Sequence, residues 1–160
     1  MRQHADLIHR FYTSFQHRDA AGMIACYHPD VTFSDPVFPL LEGQHANAMW
    51  QMLCENGKDL DIEFRDVSAD DHGGQAHWEA HYTLPTTGRK IHNKIDARFD
   101  FRDGKIFRHR DHFNFWAWAS QALGWKGFLF GWSVAVRNRV RSQAAKRLES
   151  FMSRKFRGDR

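Results

Sequence analysis

Cysteine is nearly missing from this chain: Cys26 and Cys54 are its only two in 160 residues. Two thiols cannot build a disulfide framework, so packing must hold the fold, and a reducing compartment is implied. Proline is scarce as well, at 4 residues, which excludes a collagen-like or proline-rich disordered chain. No long apolar run occurs. The most apolar stretch, 122–136, is 15 residues long and carries Lys126, short of the roughly 20 that a membrane-spanning helix needs. The start, Met1-Arg2-Gln3-His4-Ala5-Asp6, lacks the apolar centre of a signal peptide and predicts an unexported, cytoplasmic protein. The motifs GxGxxG, GxxxxGK[ST] and G-x-S-x-G are also missing, which argues against dinucleotide redox chemistry, phosphoryl transfer and serine hydrolysis. Eleven histidines invite a metal reading. Yet neither His-Glu-x-x-His nor CxxC spacing is present, so no metal and no cofactor is expected.

What the chain does have is aromatic bulk. It carries 14 Phe and 6 Trp with 42% hydrophobic residues, enough for a core with a large aromatic-lined interior. The net charge of +4 is unevenly spread. Residues 137–160 hold nine Lys/Arg against Glu149 and Asp159, a balance of +7, while the preceding 136 residues sum to −3. The basicity therefore belongs to the C-terminal segment, and no nucleic-acid partner is expected for the body.

Residues 5–17 place Leu7, Ile8, Phe11, Tyr12 and Phe15 at helical spacing, predicting an amphipathic first helix. Asp19 is an N-cap for a second, short one, which His28-Pro29-Asp30 stops. A β run, 31–34, ends at Asp35-Pro36. A third helix over 43–56 turns Trp50, Leu53 and Cys54 inward and ends at Gly57. The period then changes to two. Strands are predicted over 60–70, 75–84, 90–102 and 105–118, separated by glycine-bearing turns. Long strands must twist and bend, and with covering helices they enclose a pocket. From 119 onward the pattern is helical, weakened at Gly124, Gly127 and Gly131. Its stripe of Trp125, Phe128 and Trp132 favours packing across the pocket mouth or a partner subunit, leaving 137 onward as a solvated helix. Contact of this tail with an anionic membrane surface is the other reading.

This order of elements, with Phe33-Ser34-Asp35-Pro36-Val37 between helices and meander, resembles the nuclear-transport-factor-like α+β cone superfamily. Ketosteroid isomerase, limonene-epoxide hydrolase and the SnoaL-like polyketide cyclases belong to it. The resemblance implies a cone-shaped roll over 1–118: three N-terminal helices on a strongly curved, mainly antiparallel sheet, followed by a helical extension over 119–160. It further implies a homodimer, here through the outer face of the sheet. Ser34-Asp35-Pro36-Val37 resembles the segment that presents the isomerase's general base. Ile95-Asp96 with Asp103-Gly104-Lys105-Ile106 has the spacing of its protonated oxyanion Asp. The run from Gly104 to Arg110-Asp111-His112-Phe113 resembles the last strand of the epoxide hydrolase, where the matching Asp is catalytic. Two departures stand out. Phe11 replaces the oxyanion Tyr of the first helix, with Tyr12 one residue on, and His77-Trp78-Glu79 replaces an Arg-x-Asp pair.

The residues themselves point to acid/base chemistry. Asp35 before a proline lies at a strand end beside Phe33 and Phe38, as a turn former or as a base tuned by burial. Alternation puts His109, Asp111, Phe113 and Phe115 on one strand face, a setting that desolvates a carboxylate. His77 and Glu79 share a face that looks either into the cone, beside Asp111, or out to solvent or a partner. Asp96 is flanked by Lys94 and Arg98. The expected catalytic set is thus Asp35, Asp111, His77, Glu79 and Asp96, with Phe11, Tyr12, Phe33, Trp50, Phe113 and Phe115 against a small hydrophobic substrate. The leading function is cofactor-independent isomerase, cyclase or epoxide-hydrolase chemistry. The alternatives are a non-enzymatic binding module for an apolar ligand, or a dimeric scaffold whose basic tail meets membrane or other anionic partners.

Overall fold

In the computed structural model, which describes residues 2–158, helices α1 (Arg2–Gln16) and α2 (Ala20–Ile24) lead into strand β1 (Tyr27–Ser34). A short β2 (Leu41–Glu42), helix α3 (Gln44–Asn56) and strands β3 (Asp61–Ala69), β4 (Gly74–Thr83), β5 (Lys90–Arg102) and β6 (Lys105–His112) follow. The chain continues as α4 (Phe115–Leu123), α5 (Trp125–Phe130) and α6 (Val134–Gly158). The result is the expected α+β architecture, helices on a curved mixed sheet.

Local chemistry accounts for the boundaries. Leu7, Ile8, Phe11, Tyr12 and Phe15 form the buried stripe of α1. The Asp19 carboxylate accepts from the Gly22 N–H and starts α2, satisfying one of the donors that a helix start leaves bare. Helix α2 ends earlier than expected, at Ile24 with Ala25 as its C-cap, and His28-Pro29-Asp30, expected to stop it, lies inside β1 instead. Pairing between β1 and β6 slips between Tyr27 and Thr32, where a proline without an N–H does least harm.

The sheet has the order β2-β1-β6-β5-β4-β3. Its β1–β6 pair is parallel and the others are antiparallel. Register slips also occur at Arg65/Ser68 and Asp100/Phe101, and such bulges bend a sheet. The concave face carries Trp78 and Ala80 of β4, Ile95, Ala97 and Phe99 of β5 and His109 of β6, all buried beneath α1 and α3.

Three expectations need correction. The last strand ends at His112, because Asn114 accepts from the Ala117 N–H and caps α4; an aromatic run that alternates can also wind. Leu53 is 37% exposed, at the cavity rim rather than in the core. Within this chain the aromatic stripe of the tail does not pack across the cavity mouth, and the basic helix is not solvated all round. Trp125, Phe128 and Trp132 stand out in solvent, while the basic helix α6 buries Leu148 and Phe151 and lies along α3. Arg141 Nε donates to the Pro36 carbonyl (2.9 Å), Lys155 pairs with Glu55 and His45 with Glu149.

Candidate functional site

The register of one strand pair creates the site. In the parallel β1–β6 ladder Phe33 lies beside His109 and Ser34 beside Arg110, so two residues further on Asp35 comes alongside Asp111. Period two keeps 33, 35, 109 and 111 on the concave face. Both carboxylates line a cavity of about 330 Å³. Its wall is mostly apolar: Phe33, Trp50, Trp78, Ile95, Phe113 and Trp118 among others, with Asn93 and Tyr82 as polar points. Helix α6 closes one side with Val140, Gln143, Ala144 and Arg147.

Asp111 is buried and ends a hydrogen-bonded chain. Its Oδ1 accepts from His109 Nε2 at 2.9 Å and from Trp78 Nε1 at 3.4 Å. His109 Nδ1 meets the Tyr27 hydroxyl at 2.8 Å, and Trp50 Nε1 donates to that hydroxyl at 2.8 Å. Only one set of directions satisfies every partner. Trp50 can only donate, so Tyr27 accepts from it and gives its own hydrogen to Nδ1, which leaves Nε2–H to point at the carboxylate. The Asp111 oxygen thus receives N–H groups alone, the surroundings of an anion. His109 is held in place by Phe99, Phe33, Phe11 and Trp50, with ring centroids 4.5–5.9 Å away.

Asp35 is half-buried. Its Oδ1 accepts the N–H groups of Val37 (2.7 Å) and Phe38 (2.6 Å), and its own N–H donates to the Phe38 carbonyl. The Asp-Pro turn therefore does form. Burial pushes the Asp35 carboxyl from 3.8 up to about 7, and the Asp111 charge adds to the rise. The two N–H bonds and the Arg141 guanidinium pull the other way. Burial wins. Two carboxyls that share one apolar cavity separate into an acid and a base.

His77, Glu79 and Asp96 are elsewhere. Trp78, Ala80 and Tyr82 take the cavity side of β4, so His77 and Glu79 point out of the convex face, as does Asp96 from β5. There they form their own network. Glu79 accepts from His77 Nε2 (2.9 Å), His92 Nε2 (2.6 Å) and Arg65 (3.1 Å), and His77 Nδ1 lies 3.0 Å from Asp96. These bonds hold the Glu79 carboxyl down at about 2 and raise His77. The network cannot reach a molecule bound beside Asp111.

Of the expected substrate contacts, Phe33, Trp50 and Phe113 line the cavity. Phe11 and Tyr12 are fully buried beneath its floor, and Phe115 is buried inside α4 against Trp118. Tyr12 is an oddity, since its hydroxyl is buried with no hydrogen-bond partner and burial, with the Asp111 charge, raises its pKa. Sequence reasoning did not single out Tyr27, whose partners lie 23 and 82 residues away. His109 was legible only as a neighbour of Asp111 on the strand face. Among the described residues no group of three His, Cys, Asp or Glu side chains could hold a metal ion.

The relay yields a prediction of its own. Tyr27→Phe leaves the buried Trp50 N–H and His109 Nδ1 unpaired, and should cost about 1–3 kcal/mol in unfolding free energy. Urea denaturation checks this; an unchanged midpoint would mean that the hydroxyl is not in the chain.

A family model described as a SnoaL-like domain matches residues 8–109. No curated protein matches the chain in sequence. Solved structures match well. One is a candidate polyketide cyclase from Xanthomonas campestris pv. campestris, with TM-score 0.63 and 24% identity over 75% of this chain and 96% of that one. An epoxide hydrolase of M. tuberculosis resembling limonene-epoxide hydrolase gives TM-score 0.61 and 16% identity over 81% of this chain and 92% of its own. TerC, crystallised with polyporic acid, gives 0.62 and 20% identity, covering 74% of this chain and 97% of that one. At these identities the likeness is one of fold.

Proposed function

The chain belongs to the SnoaL-like domain family, and from that premise we propose that it catalyses cofactor-independent acid/base chemistry on a small, hydrophobic substrate. The observation that carries this reading is the pairing of Asp35 and Asp111 on one apolar cavity, with burial raising Asp35 to about 7. Asp111 is the base and Asp35 the acid. In an isomerase or aldol-type cyclase step, Asp111 takes the proton from a carbon next to a carbonyl. Asp35 gives its proton to the carbonyl oxygen, so that charge does not build up in an apolar cavity. In an isomerisation Asp111 then returns its proton to a second carbon while Asp35 takes back the enol hydroxyl proton. In an aldol-type closure the enol carbon instead bonds to a second carbonyl carbon, whose oxygen takes the Asp111 proton while the first carbonyl re-forms and its proton goes back to Asp35. With an epoxide the same pair would activate water at Asp111 and protonate the ring oxygen from Asp35. His109 spreads the charge change toward Tyr27 and Trp50. Fold neighbours that include cyclase and epoxide-hydrolase types support a role of this class, as a cavity that aromatic rings line supports a flat, apolar substrate.

The test is proton exchange. A panel of polycyclic ketones, hydroxyquinones and epoxides is first screened for binding by thermal shift. Each bound ketone is then followed by NMR in D₂O. Catalysis predicts protein-dependent deuterium uptake at the carbon next to the carbonyl. Ligands that bind tightly yet neither exchange nor convert would favour the binding-module reading instead.

A further inference from the structure

The α4–α5 hairpin and its exit carry the largest exposed apolar feature of the described residues. Trp125 is 66% exposed, Phe128 59% and Trp132 71%, and Trp116, Leu129, Phe130 and Val134 are exposed beside them. Folded soluble surfaces rarely gather so many large apolar side chains. We propose that this aromatic platform docks on an anionic lipid surface.

Three independent observations select that occupant. The first is charge. From His112 to Leu148 the chain contains no Asp or Glu, but it does contain Lys126, Arg137, Arg139 and Lys146, besides Arg141 and Arg147, which are turned to the Pro36 carbonyl and the cavity wall. Arg89 joins them from outside the segment: its Nε donates to the Gln121 carbonyl, and its guanidinium lies against Gly124 at the α4–α5 junction. A second copy of the chain brought face to face on this platform would set cation against cation, whereas anionic headgroups complement it. The second is how the indoles are finished. Trp116 Nε1 donates to the Phe128 carbonyl (3.0 Å) and Trp132 Nε1 to the Leu129 carbonyl (2.6 Å). Both of these N–H groups are satisfied within the hairpin, so the rings of Trp116 and Trp132 can enter an apolar layer without stranding a donor. The third is rigidity. A Cβ at the buried Gly127 would overlap the Ala119 carbonyl, so α5 is locked on α4 at backbone distance and presents its side chains as a fixed surface. Among the described residues no helix is long and apolar enough to cross a membrane, so the contact is at the interface plane. The platform also adjoins the cavity: Leu123 is exposed and lines the cavity at once.

The proposal stands apart from the catalytic reading and is tested without a substrate. The full chain is mixed with phosphatidylcholine vesicles, with and without phosphatidylglycerol, and followed by sedimentation and tryptophan emission. Binding should require phosphatidylglycerol, weaken as salt rises, and shift the emission to the blue. The variant W125S/F128S/W132S, altered only at exposed positions, should lose at least about tenfold in partitioning, and K126E/R139E should lose binding while the platform stays intact. Circular dichroism confirms that each variant is folded. Failure of the wild-type chain to bind, or unchanged binding by the triple variant, overturns the proposal. So does a concentration-dependent dimer that the triple variant abolishes while vesicles have no effect, since a second copy would then cover the platform.

Discussion

Asp111→Asn should lower turnover by about 10²–10⁴-fold while leaving ligand affinity within a few-fold of the parent. The amide keeps the size of the carboxylate, and its carbonyl oxygen can still accept from His109 Nε2 at the 2.9 Å position. It cannot take a proton. Because Asp111 is buried between His109 and Trp78, no solvent base stands ready to replace it. Steady-state kinetics with the substrate found by the exchange screen, beside calorimetric titration of the same ligand, separates the two effects. A loss of affinity equal to the loss of turnover would make Asp111 a binding residue, and unchanged turnover would remove it from the chemistry.

Asp35→Asn should stabilise the protein in alkaline solution and impair catalysis. The folded-state pKa, about 7, lies above the ordinary 3.8. The raised value means that folding favours the neutral acid. That contribution is complete below pH 3.8 and is lost as pH rises through 7, when the chain must hold a carboxylate in an apolar wall. The asparagine stays neutral, and its oxygen can accept the same Val37 and Phe38 N–H groups. Above pH 8 the variant should be more stable by about 2 kcal/mol, roughly half of what the shift alone would give, since the side chain is partly exposed. At pH 4 the two should melt together. On the kinetic side the parent should lose activity through an alkaline limb near pH 7 as its acid ionises, and the variant should lack that limb at a level at least about tenfold lower. Melting curves at both ends of the range decide the matter; equal stability at pH 9 would mean that Asp35 is solvated and poorly suited to donate. A gain in stability coupled to a loss of function is what a strained site residue produces.

Much of this could be read along the chain. The stripe of α1, the Asp19 cap, the change of period near residue 60 and the turns between strands are local signals, each set by neighbours within a few residues. Alternation alone put His109 and Asp111 on one face. What alternation could not supply was which face of β4 looks inward. His77-Trp78-Glu79 alternates equally well either way, and burial of Trp78 under Tyr12 and Phe15 decided that Glu79 would face out and bind histidines instead of substrate. The end of the last strand was lost for a similar reason: Phe113, Phe115 and Trp118 suit a strand or a helix, and the Asn114 cap tips the balance.

The tail shows the limit most sharply. By composition its aromatic part should pack and its basic part should be solvated. Within one chain the aromatic part is exposed and the basic helix packs one face, because α6 offers Leu148 and Phe151 on that face and basic side chains can lie along a surface while their heads reach carbonyls or acids, as Arg141 does at Pro36. The sequence by itself determined the α+β class, the starts of α2 and α3 and the carboxylates worth watching, since these follow from spacing and short-range chemistry. Only the tertiary structure decided that Asp35 and Asp111 share a cavity, that Tyr27 and Trp50 stand behind His109, and that the Trp125–Trp132 rings face outward. Those facts depend on strand register and on contacts across tens of residues, which no local pattern encodes.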